Sequence, residues 1–98
     1  MFASVTSVAG GGPAIGDTAR MAAESMREWL RQFDGYRGLL VFADGDSGTA
    51  RIVTLWESRE AAERSASGRT QVRESMVAGT GLELERVELL ELVLEDRA

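Results

Sequence analysis

Two periods of hydrophobic residues alternate along this chain and divide it into six predicted elements. Apolar residues recur at helical spacing in two segments, whereas β-branched and aromatic residues are concentrated in shorter segments bounded by Gly, Asp and Ser. In order, these segments predict β-α-β-β-α-β, with short connections and no internal repeat. We therefore expect a single α+β domain over residues 1–98.

The first half of the chain predicts a strand, a helix and a β-hairpin. The segments are residues 2–8 for the strand, about 18–34 for the helix, and 36–43 and 50–57 for the hairpin. The Gly-Gly-Gly-Pro sequence at residues 10–13 cannot continue the first strand. Asp17 is a good N-cap for the helix, and Gly35 supplies its expected stop.

The second half predicts a helix with a small inner face, followed by a strand. Ser58 can cap this helix, and Gly68 is expected to bend or break it before it continues over residues 70–78. The helix residues expected to face the sheet are small: Ala61, Ala62, Ser65 and Ala66. The last segment, residues 82–94, has the Leu and Glu content of a helix but the alternation of a strand, and we interpret it as a strand.

The two strands of the hairpin are apolar on both faces. Side chains two residues apart in a strand share a face, so Ile52 and Trp56 lie on one side while Val53 and Leu55 lie on the other. A sheet that is buried on both faces must be covered twice, and two helices connected in this order can cover only one face. We therefore expect a homodimer, in which a second copy of the sheet covers the other face.

The missing residue types exclude several kinds of chemistry. The chain has no Cys, His, Lys or Asn, so disulfides, imidazole catalysis, Schiff-base lysines and the commonest metal ligands are absent. We expect no metal and no cofactor. The net charge of −5 argues against nucleic acid as a partner. No apolar run has the length of a membrane span, and no basic residue precedes an apolar stretch at the amino terminus, so no membrane partner and a cytoplasmic location are expected.

The hairpin and the start of the following helix resemble a known family. Residues 35–41 read Gly-Tyr-Arg-Gly-Leu-Leu-Val, and residues 53–58 read Val-Thr-Leu-Trp-Glu-Ser, with Glu60 and Ala61 close behind. These segments resemble the dimeric α+β barrel superfamily and, within it, the antibiotic biosynthesis monooxygenase-like (ABM) group. The resemblance implies a ferredoxin-like four-stranded antiparallel sheet with its helices on one face, and two such sheets packed about a two-fold axis. It also implies a choice of functions, because the group contains cofactor-free quinone-forming oxygenases, haem-degrading enzymes and signalling-related proteins.

Most residues that carry the family's chemistry are replaced in this chain. The haem-degrading members use an Asn on the first strand, a Trp two turns into the second helix and a His that binds iron. Here no Asn stands near Thr6, Ser65 occupies the Trp position, and no His is present, which disfavours haem degradation. The quinone-forming members have a Trp at the position of Trp56 and an Asn four residues earlier, where this chain has Ile52. Trp56 therefore matches their motif, but the amide does not.

Two functions from different classes follow from this resemblance. The first is a homodimer that binds a small hydrophobic or aromatic ligand between helices and sheet. The alternative is a cofactor-independent monooxygenase that oxidises a polycyclic phenol or anthrone to a quinone. The candidate ligand-binding residues are Trp29, Tyr36, Arg37, Trp56 and Arg69. An arginine or the tyrosine hydroxyl would stabilise an anion, and the small helix face opposite the tryptophan rings would leave volume for a ligand. No catalytic residue is assigned.

Each candidate also has a simpler structural interpretation. Trp29 and Trp56 stand at positions expected for core residues. Tyr36 is typical of an aromatic residue at the edge of a core with its hydroxyl in water, and Arg37 alternates outward at the start of a strand. A connected cavity with an inward arginine or tyrosine would favour a ligand, and a filled space would indicate a purely structural dimer.

Overall fold

A computed structural model describes all residues of the chain, 1–98, as one four-stranded sheet and three α-helices. The strands are β1 (Phe2–Ala9), β2 (Tyr36–Asp44), β3 (Thr49–Trp56) and β4 (Glu83–Glu91), and the helices are α1 (Ile15–Leu30), α2 (Arg59–Arg64) and α3 (Ala66–Thr80). The strand order is β2-β3-β1-β4, and all neighbouring strands are antiparallel. The predicted α+β fold with the order β-α-β-β-α-β is confirmed, with its second helix in two parts.

The pairing of the strands assigns the side chains of the sheet to two faces. Thr6 of β1 lies opposite Ile52 of β3 and Val87 of β4, so these three side chains share a face. The helices pack on this side, which we call the inner face; its central side chains are Ser4, Thr6, Ile52, Thr54 and Trp56. We call the other side the open face; its apolar side chains are Ala3, Val5, Leu40, Phe42, Val53, Leu55 and Leu90. The predicted division of the hairpin residues between two faces is confirmed.

The first helix begins and ends earlier than the sequence predicts. Pro13 lies in a short 3-10 helix, Gly12–Ala14, that runs directly into α1, because the fixed φ of proline suits a first helical turn. Asp17 is therefore not the N-cap but lies in the first turn of α1. At the other end a tighter turn, with the Phe33 amide donating to the carbonyl of Leu30 at 3.1 Å, replaces the last predicted turns. The predicted helix limits were wrong for these two reasons.

The second helix is interrupted at Ser65 and not at Gly68. Ser58 caps α2 as predicted, since its Oγ accepts a hydrogen bond from the Ala61 amide at 3.1 Å. Gly68 lies inside α3, where a Cβ atom would come within 2.7 Å of the Trp29 ring. The glycine therefore allows α3 to pack closely against α1, and it does not break the helix.

The carboxyl-terminal segment forms a strand, as predicted, although a shorter one. β4 pairs with β1 along Glu83–Glu91, and residues 92–98 continue without regular structure. Gly81, with a φ of +74°, ends α3 immediately before this strand. None of the helices is both long enough and apolar enough to cross a membrane.

The inner face is apolar at both ends and polar in its middle. One buried cluster contains Leu30, Trp56, Ala61 and Ala62, and the other contains Val8, Ile15, Ala19, Ala50 and Leu82. Between these clusters stand Ser4, Thr6 and Thr54, which are only 4%, 8% and 5% exposed. A hydroxyl in such a layer must find a hydrogen-bond partner there, because an unpaired buried polar group is destabilising. The middle of the inner face therefore requires hydrogen-bond partners for these three hydroxyls.

The open face is apolar and accessible. Leu40, Phe42 and Leu90 are 43%, 58% and 47% exposed, although all three lie in strands. Towards the hairpin turn the same face carries Arg51 and Arg86, both opposite Ser7. These three side chains lie on the two edge strands, and Val53 between them is only 8% exposed. Exposed apolar side chains on one sheet face with a polar margin indicate an interaction surface.

Candidate functional site

A small cavity lies between α1, α3 and the middle of the inner face. Its volume is about 30 Å³, which is room for about two water molecules. The lining side chains are Ser4 and Thr6 of β1, Ile52 and Thr54 of β3, Met26 of α1, and Arg69, Arg73 and Met76 of α3. The cavity thus combines hydroxyls and guanidinium groups with flexible thioether side chains.

The buried hydroxyls of the sheet all have partners. Thr54 Oγ1 accepts a hydrogen bond from Trp56 Nε1 at 2.9 Å, and this bond fixes the orientation of the buried indole. Ser4 Oγ accepts from Arg69, and Thr6 Oγ1 accepts from Arg73. No buried side-chain nitrogen or oxygen lacks a hydrogen-bond partner. Two arginines of α3 therefore supply the hydrogen bonds that the buried hydroxyls of Ser4 and Thr6 accept.

Arg69 joins α3 to α2 and to β1 through three hydrogen bonds. Its Nη1 donates to Ser4 Oγ at 2.6 Å, its Nη2 to the carbonyl of Ala62 at 2.7 Å, and its Nε to Ser65 Oγ at 2.8 Å. The guanidinium carbon also lies 5.3 Å from the centroid of the Trp56 ring, in cation–π contact. Arg69 thus holds the junction between α2 and α3 against β1, above the tryptophan.

Arg73 is one helical turn further along α3 and makes fewer bonds. Its Nε donates to Thr6 Oγ1 at 3.3 Å, and its two terminal nitrogens have no hydrogen-bond partner within the chain. The side chain is half-buried. Its terminal N–H groups are therefore available to a group from outside the chain.

The positive charge of this arginine pair is not neutralised nearby. Neither Arg69 nor Arg73 belongs to any of the salt bridges of the structure. Burial lowers the pKa of the Arg69 guanidinium, and the charge of Arg73 lowers it further. Burial likewise lowers the pKa of Arg73, against the opposing effect of Glu74. No three acidic side chains converge to hold a metal ion, so the site presents hydrogen-bond donors and positive charge.

A second depression lies on the outer side of the arginine pair. This outer groove, of about 250 Å³, runs between α3 and β4. It shares Ser4, Arg69 and Arg73 with the cavity, and its other lining residues are Ala62, Glu63, Ala66, Thr70, Val87, Glu88 and Leu89. The two arginine side chains therefore line both depressions.

Of the five candidate residues from the sequence, Arg69 alone lines the cavity. Trp56 is fully buried directly behind Arg69. Tyr36 packs edge-on against Trp56 at a centroid distance of 5.7 Å. Trp29 packs edge-on against Phe33, also away from the cavity.

Arg37 lies outside this arrangement. Its side chain is exposed and its Nη2 forms a salt bridge with Glu57 Oε2 at 3.1 Å. Ile52 and Thr6, the positions at which relatives of the resembled group carry an Asn, do line the cavity. The missing amides thus leave an aliphatic side chain and a hydroxyl in their place.

The expected position of the empty volume was partly right. Ala61 and Ala62 share a buried cluster with Trp56, whereas Ala62 and Ala66 also line the outer groove. The cavity begins further along the chain, beneath Arg69 and Arg73 of α3. The sequence contained a signal for this, since Arg69, Arg73 and Met76 recur at helical spacing and therefore share one helix face.

No protein-family model matches the chain, and no curated protein matches it. Solved structures do. A protein from Deinococcus radiodurans described as a candidate antibiotic biosynthesis monooxygenase aligns with a TM-score of 0.72 at 19% identity, covering 100% of this chain and 98% of that one. A monooxygenase from Streptomyces coelicolor, in complex with the ligand nanaomycin D, aligns with a TM-score of 0.70 at 20% identity, covering 99% and 89%.

A third structure with the same fold is a dimer. It is a dimeric ferredoxin-like protein from an uncultured marine organism, which aligns with a TM-score of 0.70 at 10% identity, covering 97% of each chain. All three alignments include nearly the whole chain. The resemblance to the ABM group that residues 35–41 and 53–58 predict is thus confirmed for the fold, including its ferredoxin-like arrangement.

Proposed function

We propose that this chain, which has the fold of the ABM-like proteins, is a single-domain homodimer that binds a small aromatic ligand between its helices and its sheet. The observation that supports this most strongly is the arginine pair at the cavity. A layer whose only role is structural is filled with apolar side chains, because a buried charge without a counter-ion is destabilising. Arg69 and Arg73, both half-buried and without a salt bridge, depart from that rule where they line the cavity.

The cavity and the outer groove together offer room for an aromatic ring. The cavity alone, at about 30 Å³, holds only water. Rotation of the Arg73 side chain would join it to the groove of about 250 Å³. Met26 and Met76 on the cavity wall are unbranched and adapt easily to a ligand. The Streptomyces coelicolor monooxygenase, which has this fold, holds nanaomycin D.

The open face supports the homodimer. Its exposed apolar side chains have no cover within the chain, and a second copy of the same face is self-complementary about a two-fold axis. The marine ferredoxin-like protein with this fold is dimeric. A partner at the open face would leave the cavity accessible, because the cavity lies on the opposite side of the sheet.

The four methionines of the chain make a direct test of ligand binding possible. Met26 and Met76 line the cavity, whereas Met1 and Met21 are 42% and 64% exposed elsewhere. In a sample with ¹³C-labelled methionine methyl groups, 2-naphthol, 2-naphthoate and 2-naphthamide would be titrated in turn. We expect at least one of them to shift the Met26 and Met76 signals and to leave the Met21 signal in place. If none of the three shifts the Met26 and Met76 signals, the cavity is not a ligand site.

The alternative function is a cofactor-independent monooxygenase. It is favoured by the position of Trp56, which matches the quinone-forming members, and by the monooxygenase that shares the fold. An anthrone supplies its own carbanion, so dioxygen would place one oxygen atom on the ring carbon and release the other as water. A cationic site such as this arginine pair would favour the deprotonated substrate.

Oxygen uptake with an anthrone separates the enzyme from the binding protein. Wild type and Trp56→Phe would be compared with buffer alone in an oxygen electrode. An oxygenase is expected to raise uptake well above the uncatalysed rate, and the variant to lower it. Uptake by the wild type that equals the uncatalysed rate would end the oxygenase interpretation and leave the binding function.

A further inference from the structure

The two arginines of the site differ in how fully the chain uses their donors. Arg69 donates from all three of its nitrogens to acceptors of the chain, Ser4, Ala62 and Ser65. Arg73 donates from Nε alone, over a longer distance of 3.3 Å. Arg69 therefore links α2 and α3 to β1, whereas the two terminal nitrogens of Arg73 donate to no acceptor in the chain.

Nearby acidic residues do not occupy these free donors. Glu63 lines the outer groove but forms no salt bridge with Arg73. Glu88 lies opposite Val5 and therefore on the open face, where it pairs with Arg86 at 3.6 Å. Glu74 follows Arg73 in sequence and is exposed. An arginine with only a structural role at a half-buried position would be expected to meet one of these carboxylates. Arg73 instead faces both the cavity and the groove without one.

We propose that Arg73 recognises the carboxylate of an aromatic acid, which makes an organic anion the ligand class of this site. The inference rests on the proposed ligand-binding function and adds the charge and the recognising residue. A guanidinium group binds a carboxylate through two parallel N–H···O bonds, and the two terminal nitrogens of Arg73 present that fork. The ring of the acid lies towards the methionines of the cavity, Met26 and Met76.

Arg69 assists this recognition without changing its own bonds. Burial lowers the pKa of the Arg69 guanidinium most, and the nearby positive charge of Arg73 lowers it further through repulsion. An anion between the two would relieve that repulsion, because a negative charge stabilises both guanidinium groups. A carboxylate that enters from the outer groove reaches Arg73 while the bonds of Arg69 to Ser4, Ala62 and Ser65 remain in place. The bonds of Arg69 therefore hold one of the two positive charges in place before an anion binds.

Matched probes test the preference for an anion. 2-Naphthoate and 2-naphthamide have the same ring and nearly the same shape, and only the first is charged at pH 7. Dissociation constants would be measured from the Met26 and Met76 methyl shifts in wild type, Arg73→Gln and Arg64→Gln. Arg64 is exposed at the end of α2 and lines neither depression, so its variant controls for the change of net charge. We expect wild type and Arg64→Gln to bind the naphthoate at least about tenfold more tightly than the naphthamide, and Arg73→Gln to lose that preference.

The outcomes separate this inference from the proposed function. Equal affinity of the wild type for naphthoate and naphthamide would overturn the anion preference and leave the ligand site intact. A preference that survives in Arg73→Gln would overturn the role of Arg73. No methyl shift with any probe would overturn both proposals. Arg73→Lys, which keeps the charge but not the planar fork, is expected to retain only part of the preference, and it tests the same point should Arg73→Gln fail to fold.

Discussion

The two faces of the sheet differ in where their polar and apolar side chains lie, and each has a region that its surroundings would not suggest. The inner face lies beneath the helices, yet its centre carries Ser4, Thr6 and Thr54 and contacts two arginines. The open face is accessible to water, yet Leu40 and Phe42 project from it. In a monomer built only for stability, the hydrophobic effect would exchange these two sets. The proposed ligand and the proposed second chain would account for this difference.

The two faces also differ in how complete they are. On the inner face every buried polar side-chain atom has a hydrogen-bond partner within the chain. Arg73 alone of the two arginines has N–H donors that no acceptor of the chain uses. On the open face Leu40, Phe42 and Leu90 remain exposed, because no segment of the 98 residues covers them. The inner face is therefore the ligand side of the proposal, and the open face is the dimer side.

A charge on the open face is expected to have the largest effect on this comparison. Phe42, on the edge strand β2, is the most exposed of the large apolar side chains of that face, at 58% against 43% for Leu40 and 47% for Leu90. In a two-fold dimer, Phe42→Asp would place two desolvated carboxylates in one interface, which is strongly unfavourable. We expect the dimer dissociation constant to rise by at least about a hundredfold. Sedimentation at micromolar concentration measures this as a change from dimer to monomer.

Met21 provides the matched control for this substitution. It is 64% exposed, but on α1 and therefore on the other side of the sheet. Met21→Asp introduces the same charge into an exposed apolar position and is expected to leave the dimer intact. A wild type that sediments as a monomer, or a dimer that both variants preserve, would contradict the assignment of the open face.

Replacement of Arg69 is expected to have the next largest effect, on the inner face. Arg69→Met keeps an unbranched side chain but leaves Ser4 Oγ and Ser65 Oγ without the donor that Arg69 supplies, while the Ala62 carbonyl still accepts from Ser65 Oγ. Because unpaired buried acceptors are destabilising, we expect the free energy of unfolding to fall by about 2 kcal/mol. Urea unfolding at a fixed protein concentration measures this difference. An unchanged midpoint would mean that the arginine does not fasten α3 to β1.

Replacement of Arg73 is expected to have a smaller effect of opposite sign. Arg73→Met removes a half-buried charge that has no salt bridge, and gives up only the 3.3 Å bond to Thr6. We expect the free energy of unfolding to rise by about 0.5–1 kcal/mol, because an unbranched apolar side chain suits this half-buried layer better than a charge without a salt bridge. The same urea experiment compares it with Arg69→Met. Loss of stability as large as that of Arg69→Met would contradict the different roles of the two arginines.

The division into two faces could be predicted from the sequence, and the site could be predicted only in part. Alternation in the hairpin places Thr54 and Val53 on opposite sides whatever surrounds them, since the period of a strand is two. The helix limits depend on contacts that are distant in sequence: Gly68 serves the ring of Trp29, which a local pattern does not show. Likewise the partner of Arg69 is Ser4, 65 positions away. Arg73 belongs to the site because α3 packs against β1, and the composition of neither element shows that contact.

The smallest predicted effect concerns Tyr36 at the aromatic end of the inner face. Burial raises the pKa of its phenol above the usual 10.0, against the lowering effects of Arg31 and Arg27. Above pH 10 the unfolded chain then releases this proton before the folded chain does, so the tyrosine stabilises the fold fully only below about pH 10. Stability is lost as the pH rises through the pKa of the folded state. In Tyr36→Phe this loss is expected to be smaller, because the ring has no proton to release.

Two measurements check this pH dependence. The chain has a single tyrosine, so an absorbance titration of the tyrosinate reports Tyr36 alone in the folded and urea-unfolded protein. We expect the folded midpoint to lie above the unfolded one, and the unfolding free energy of wild type to fall more steeply than that of Tyr36→Phe between about pH 9.5 and 11. Identical midpoints in the two states would place the phenol in water. The end of the inner face near Tyr36, where β2 begins, would then be as accessible to solvent as the open face.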